Sequence, residues 1–337
     1  MLDTLLFALN AILPILLLVM LGMVVRRLGP WDQPFFVKLN GLVFQVLLPT
    51  LLFYNVYNIS SFSELNWGAL IFCLACVALL VGLGFLVQLA LVPDRAQKGV
   101  IWQCVFRSNY AIIGLPLAAA LGGDAALGFA ALVSAFSIPL FNIMAVVSLT
   151  FYLPGEQGKG HVRDVVRKIA TNPLILGILL GLAVLLVRSL LPVGADGAPV
   201  FTVEKNLPFL YESIRSVART ASPIALIALG AQFDFDAVAA LRRQICLGTV
   251  LRLLAAPALA LTLAFLADRF TPLTIGINEN PALVALFGTP VAVSSAVMTQ
   301  SIGGDFQLAN QLVVWTSIGS VATLFGIICL LRSLGLL

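Results

Sequence analysis

Residues 106–124 read "FRSNYAIIGLPLAAALGGD", and residues 288–305 read "GTPVAVSSAVMTQSIGGD". Both stretches sit in long apolar runs, yet both place polar side chains and helix breakers where a membrane span should continue. A helix needs about 20 predominantly apolar residues to cross the hydrocarbon core. Arg107, Ser108 and Asn109 in a row interrupt such a span, and Gly114 and Pro116 follow as breakers. Non-helical backbone survives in a bilayer only where it faces protein or a water-filled cavity, because an unsatisfied backbone group in lipid costs several kcal/mol. Polar residues and breakers at mid-span in two places therefore predict two discontinuous helices that cross near the bilayer midplane. Each presents a half-helix N-terminus worth about +0.5 of an elementary charge, suited to an anionic group.

The composition agrees with a membrane location. Of 337 residues, 61% are hydrophobic and 10% charged, and the mean hydropathy is +1.07, far from the values of a soluble domain. An all-α integral membrane protein is expected. The formal charge of +4 is small, and the basic residues fall between apolar runs, so no nucleic-acid partner is implied. Cys73, Cys76, Cys104, Cys246 and Cys329 lie inside apolar runs, where cysteine behaves as a small hydrophobe. The one histidine, His161, lies in a polar connection, so no metal site and no cofactor are expected. The first apolar run, 5–25, is followed by Arg26 and Arg27, whereas a signal peptide carries its positive charge in front. It is expected to remain as a first spanning helix.

Charge-free stretches at 39–63, 65–93, 108–123, 125–155, 169–187, 220–233, 280–304 and 306–331 each accommodate one span, two of them with extension past an arginine. With the first run and a further span over 238–267, the count is ten. With the N-terminus outside, the inner connections hold Arg26, Arg27, Lys38, Arg95, Lys98, Lys159, Arg163, Arg167, Lys168, Arg242 and Arg243. That excess obeys the positive-inside rule and places both termini on the extracytoplasmic side of the cell inner membrane. No connection is long enough for a soluble catalytic domain.

Five spans precede the polar connection at 154–168 and five follow it, so the halves 1–153 and 169–337 cross the membrane in opposite senses, as in an inverted repeat. Residues 154–168 form the expected cytoplasmic hinge. Local text supports the repeat: "LGGDAALGFAALV" and "IGGDFQLANQLVV" place Asp124 and Asp305 181 residues apart. The same offset sets Ser108 and Asn109 against Thr289 and Pro290. A competing offset of 174 aligns Pro116 with Pro290 and Pro49 with Pro223; we prefer 181 for the fourth and ninth spans, and 174 stays open for the second and seventh.

Taken together, "LLPTLLFYNVYN" from Leu47, "FRSNYAIIGLPL" from Phe106, "ATNPLILGILLGL" from Ala170, "SPIALIALGAQF" from Ser222 and "GTPVAVSSAVMTQSIGGD" from Gly288 resemble the auxin efflux carrier family, the bacterial relatives of plant PIN-type auxin carriers. The resemblance implies a bile-acid symporter or sodium/proton antiporter-like fold, in which helices 1, 2, 6 and 7 form a scaffold and helices 3–5 with 8–10 a mobile transport core. It also implies a homodimer and a small organic anion as substrate, an auxin-like acid or a dicarboxylate. The family's crossover asparagine matches Asn109 and its ninth-span crossover proline matches Pro290. Where many relatives have proline before that asparagine, this chain has Ser108.

Within this frame the expected substrate-binding residues are Arg107, Ser108, Asn109, Thr289, Pro290, Ser294, Tyr54 and Asn55. An arginine at mid-span costs about 2.5 to 3.5 kcal/mol on insertion scales, which makes function its default role. Pairing with half-helix carbonyls or snorkelling to the cytoplasmic face stays open for it. Asn109 brings donors and an acceptor to the break, and Thr289, Ser294 and Ser295 offer hydroxyls from the other side, or tight helix packing. Tyr54 and Asn55 rest on the resemblance alone, and Pro49 reads as a kink. Asp124 and Asp305 read as caps of the helices that follow them, and Arg252 as a weaker candidate that snorkels. No acid lies in 108–123 or 280–304, which argues against a cation coupled through a crossover carboxylate. The function expected is a secondary transporter or facilitator; the alternative is a cation-coupled exchanger or channel of the same fold. An intramembrane enzyme would need a nucleophile and base, or a ligand cluster, that the spans lack.

Overall fold

The computed structural model describes residues 2–58, 66–152, 167, 170–192, 200–273, 275–276 and 278–337. The expected hinge at 154–168, including His161, lies outside the described residues except for Arg167. Helices make up 85% of the structure, and the described residues contain no strand, only an isolated bridge between Ser108 and Val291. The helices are α1 (Leu2–Leu28), α2 (Gln33–Tyr57), α3 (Trp67–Leu91), α4 (Arg95–Phe106), α5 (Tyr110–Thr150), α6 (Pro173–Leu190), α7 (Val203–Asn206), α8 (Pro208–Ala231), α9 (Asp236–Phe270), α10 (Asn280–Gly288), α11 (Val293–Ile302) and α12 (Phe306–Ser333).

Among the described residues, six helices, α2, α3, α5, α6, α9 and α12, are long and apolar enough to cross a membrane. The shortness of α4, α10 and α11 has a local cause, since the chain leaves the helical path at residues 107–109 and again at 289–292. Helix α8 carries Glu212, Arg215 and Arg219 in its first half. At 41 residues α5 exceeds a single crossing, and Gly123 (φ 67°, ψ −155°) divides it. A left-handed φ is open to glycine at little cost, so the Gly-Gly-Asp text marks the turn between consecutive segments. The second Gly-Gly-Asp stretch behaves alike: Gly303 ends α11 at φ 101°, and Asp305 caps α12 by accepting from the Leu308 amide at 2.9 Å. Asp305 is thus the cap expected of it, while Asp124 follows Gly123 with no side-chain cap bond among the described contacts.

Three wide π-helical turns interrupt the regular winding, at Val43–Leu47, Tyr110–Gly114 and Leu251–Ala255. Each is followed two residues on by a proline: Pro49, Pro116 and Pro257. A proline inside a helix has no N–H to donate, and its ring clashes with the carbonyl four residues back. In all three turns the residue before the proline donates to the carbonyl five residues back, from Leu48 to Val43, Leu115 to Tyr110 and Ala256 to Leu251. Pro49 thus sits behind a π turn. Gly114 and Pro116, expected to break the helix, widen it instead: Gly114 is helical (φ −66°, ψ −49°), and the true interruption lies upstream at Arg107–Asn109.

Packing between helices uses glycine at the closest approaches. A Cβ on Gly22 of α1 would lie 2.1 Å from the Ile227 carbonyl oxygen of α8, and one on Gly230 of α8 would lie 2.0 Å from the Val19 carbonyl oxygen. Helix α6 meets α2 likewise, with Gly177 2.5 Å from the Pro49 carbonyl oxygen by the same measure. Small residues at such seams let backbones approach where there is no hydrophobic force between helices.

Candidate functional site

The two interrupted segments cross each other. Asn109 N–H donates to the Pro290 carbonyl at 2.8 Å, Ala292 N–H donates to the Arg107 carbonyl at 3.3 Å, and Ser108 faces Val291 between them. Residues 109 and 290 are also the pair related by the 181-residue offset, so a two-fold axis relating the halves would pass through this contact. Thr289 is extended (φ −73°, ψ 154°), as the residue before a proline prefers. Arg107 is extended too (φ −90°, ψ 99°), with no proline following. With serine at 108 the interruption is held by pairing with the opposite segment.

On one side of the crossing stand the N-termini of α5 and α11, with Arg107 between them. The residue is 2% exposed, and its guanidinium is held by neutral groups. Nη2 donates to Asn142 Oδ1 at 2.8 Å and Ser294 Oγ at 2.9 Å, and Nη1 to Gln103 Oε1 at 3.2 Å and Met298 Sδ at 3.5 Å. Asn142 is fixed by its own amide on the Ile138 carbonyl at 2.8 Å, and Gln103 by Thr299 Oγ1 at 2.8 Å. Beside Arg107, Ser108 Oγ and Asn109 Nδ2 are buried without a hydrogen-bond partner among the described residues.

These three residues line a cavity of about 50 Å³ together with Asn142, Ser294 and Ser222, closed by Leu48, Leu51 and Leu52 of α2, Ile138 and Phe141 of α5 and Leu174 of α6. That volume holds a few water molecules. Its character is that of a cationic and amide-lined spot in an apolar wall, and none of its lining residues is acidic.

On the other side of the crossing end α4 and α10, and there Arg252 of α9 is fully buried. It donates only to backbone carbonyls: Nε to Thr289 at 2.9 Å, Nη1 to Val105 at 3.0 Å, Nη2 to Leu286 at 3.1 Å and to Phe287 at 2.9 Å. The expectation that Arg252 snorkels is corrected by this clamp. The two arginines divide the crossing, one serving the carbonyl ends and the other facing the cavity.

Of the residues expected from sequence, Arg107, Ser108, Asn109 and Ser294 come together in the cavity wall. Thr289 and Pro290 contribute backbone carbonyls to the crossing rather than side chains to the cavity, and Thr289 Oγ1 donates to Ala285 at 2.8 Å. Tyr54 and Asn55 lie outside the cavity lining; Tyr54 Oη is 3.4 Å from Tyr211 Oη, which donates to Asn58 Oδ1 at 2.9 Å. Asn142 and Gln103 are supports that the sequence did not point to, and Arg252, a weaker candidate from sequence, proves to be a backbone clamp. The available signal for Asn142 was a lone amide in the apolar "SIPLFNIMAVV", and the choice of its partner needed the fold.

A family model described as membrane transport protein matches residues 7–328. No individual curated protein matches the chain.

Proposed function

The chain belongs to the auxin efflux carrier family of membrane transport proteins, and on that premise we propose that it is a secondary transporter or facilitator of a small organic anion, working by alternating access. The observation that carries this is Arg107: a buried guanidinium in a cavity wall whose partners are all neutral. A buried charge without a counter-charge is costly, and an incoming carboxylate supplies what is missing. The planar fork of the guanidinium suits a carboxylate, the unpaired Ser108 and Asn109 donors add to it, and two half-helix N-termini contribute further positive potential. Apolar walls of leucine, isoleucine and phenylalanine fit the body of an auxin-like acid or a short dicarboxylate. The cavity has room for a carboxylate head, so the wall between α2 and α5 must part to admit the rest.

The wider architecture belongs to the same proposal: ten transmembrane helices as a 5+5 inverted repeat, residues 1–153 and 169–337, with both termini extracytoplasmic and two copies forming a homodimer in the inner membrane. Support comes from the paired interruptions, the shared 181-residue offset, and the matching seams of α1 with α8 and of α2 with α6, which an inverted repeat would make equivalent. The exchanger alternative loses support from the lack of an acidic group in the cavity lining. Binding of a panel of carboxylates to the purified protein, compared with an Asn109→Ala variant, tests the site. Weaker binding by the variant is expected; equal affinity refutes the assignment.

A further inference from the structure

Two helices that end at a crossing inside the bilayer leave their last carbonyls without intrahelical partners, and each end carries about −0.5 of an elementary charge. A single positive charge balances two such ends. In this chain that charge is covalently attached. Arg252 reaches Val105 at the end of α4 and Leu286, Phe287 and Thr289 at the end of α10, with four hydrogen bonds between 2.9 and 3.1 Å. The wide turn at Leu251–Ala255, set by Pro257, contains it. Every acceptor is a main-chain oxygen, and they come from two different helices. Such a set of converging carbonyls is also what a hard cation prefers.

We propose that Arg252 is a resident cation of the crossing, occupying the place where a bound coupling ion would balance the two carbonyl ends. A site filled by a tethered side chain cannot be loaded on one face of the membrane and emptied on the other. It follows that anion movement draws on no sodium or proton gradient through this site. Arg252 is a positioning residue: it touches no substrate, and it fixes α4 against α10 so that Arg107 and Asn109 stand in register across the cavity. The transport consequence rests on the carrier role proposed above; the structural assignment does not.

The test uses the full chain in detergent and in proteoliposomes. Arg252→Ala is expected to melt several degrees below the unmodified protein. Low-millimolar guanidinium should restore part of the loss, whereas urea, a neutral molecule of the same shape, and sodium at equal concentration should not. The unmodified protein should respond to none of them. Arg252→Lys, a point charge without the fork, should fall between the two and serves as the charge-retaining comparison if the alanine variant fails to fold. Equal effects of urea and guanidinium on Arg252→Ala, or a lysine variant no better than alanine, overturn the assignment. In proteoliposomes, uptake of labelled succinate and indole-3-acetate by the unmodified protein, corrected for protein-free liposomes, should be unchanged when a sodium or a proton gradient is imposed. A steep dependence on either overturns the cation-free mechanism. Absence of uptake of both acids under all conditions counts against the carrier role, and the melting comparison, which uses no substrate, still decides the role of Arg252.

Discussion

Arg107 and Arg252 are both buried, and the difference between them is the chemistry of their partners. Arg252 spends its donors on carbonyls that need a cation; Arg107 rests on amides, a hydroxyl and a thioether that do not neutralise it. Hydrogen bonds to a charged group contribute about 1.5 to 3 kcal/mol, so Arg107→Gln, which keeps an amide and loses the charge, should weaken carboxylate binding by roughly 10- to 100-fold. The neutral amide of the same ligand should bind both proteins alike. Calorimetry on the pair of ligands checks this, and parallel weakening for acid and amide would show that the charge is not what the ligand meets.

At the level of the helix, proline and glycine act through geometry that is partly visible in sequence. Proline marks a disturbance but not its form: Pro116 widens a turn, whereas the interruption at Arg107–Asn109 has no proline and depends on pairing with the segment around Pro290. Glycine likewise has different meanings at different places. Gly230 meets the Val19 backbone, while a Cβ on Gly82 of α3 would have nothing within 4 Å. Overpacking costs about 1 to 3 kcal/mol, and a backbone neighbour cannot turn aside as a side chain does. Gly230→Leu is therefore expected to lower the melting temperature and separate α1 from α8. Gly82→Ala is expected to leave it unchanged or raise it slightly, because it removes about 0.4 to 1 kcal/mol of unfolded-state freedom. A Gly230→Leu protein as stable as the unmodified one would remove the close seam from the account.

Across the whole molecule, hydrogen bonds between the proposed scaffold and core gather at one end. Asn40 of α2 donates to Gln300 of α11 at 2.7 Å, and Gln300 donates to Gln232, just past α8, at 2.7 Å. Nearby, Asn310 donates to the Leu229 carbonyl at 2.9 Å and Gln311 to the Asp234 carbonyl at 2.6 Å. In the proposed orientation, with both termini extracytoplasmic, this end faces the cytosol, and we propose that these amides close the cavity on that side. Gln300→Ala removes both of its bonds. In a cysteine-free background, a cysteine placed at Ser294 should then react faster with an impermeant thiol reagent applied to inside-out vesicles. An unchanged labelling rate would take the amides out of the closure.

The sequence alone determined that this is an apolar helical chain and that polar residues interrupt it near 107–109 and 289–290. Hydropathy, charge spacing and the conformational limits of glycine and proline act within a few residues, and they can be read in order along the chain. Only the tertiary structure decided what the interruptions are for. That Arg252 joins Val105, 147 positions away, and that Arg107 finds Asn142 and Ser294 but no carboxylate, are matters of which distant side chains the packed helices bring together. Several polar residues in an apolar chain have equivalent hydrogen-bonding capacity, and burial by the surrounding helices selects among them.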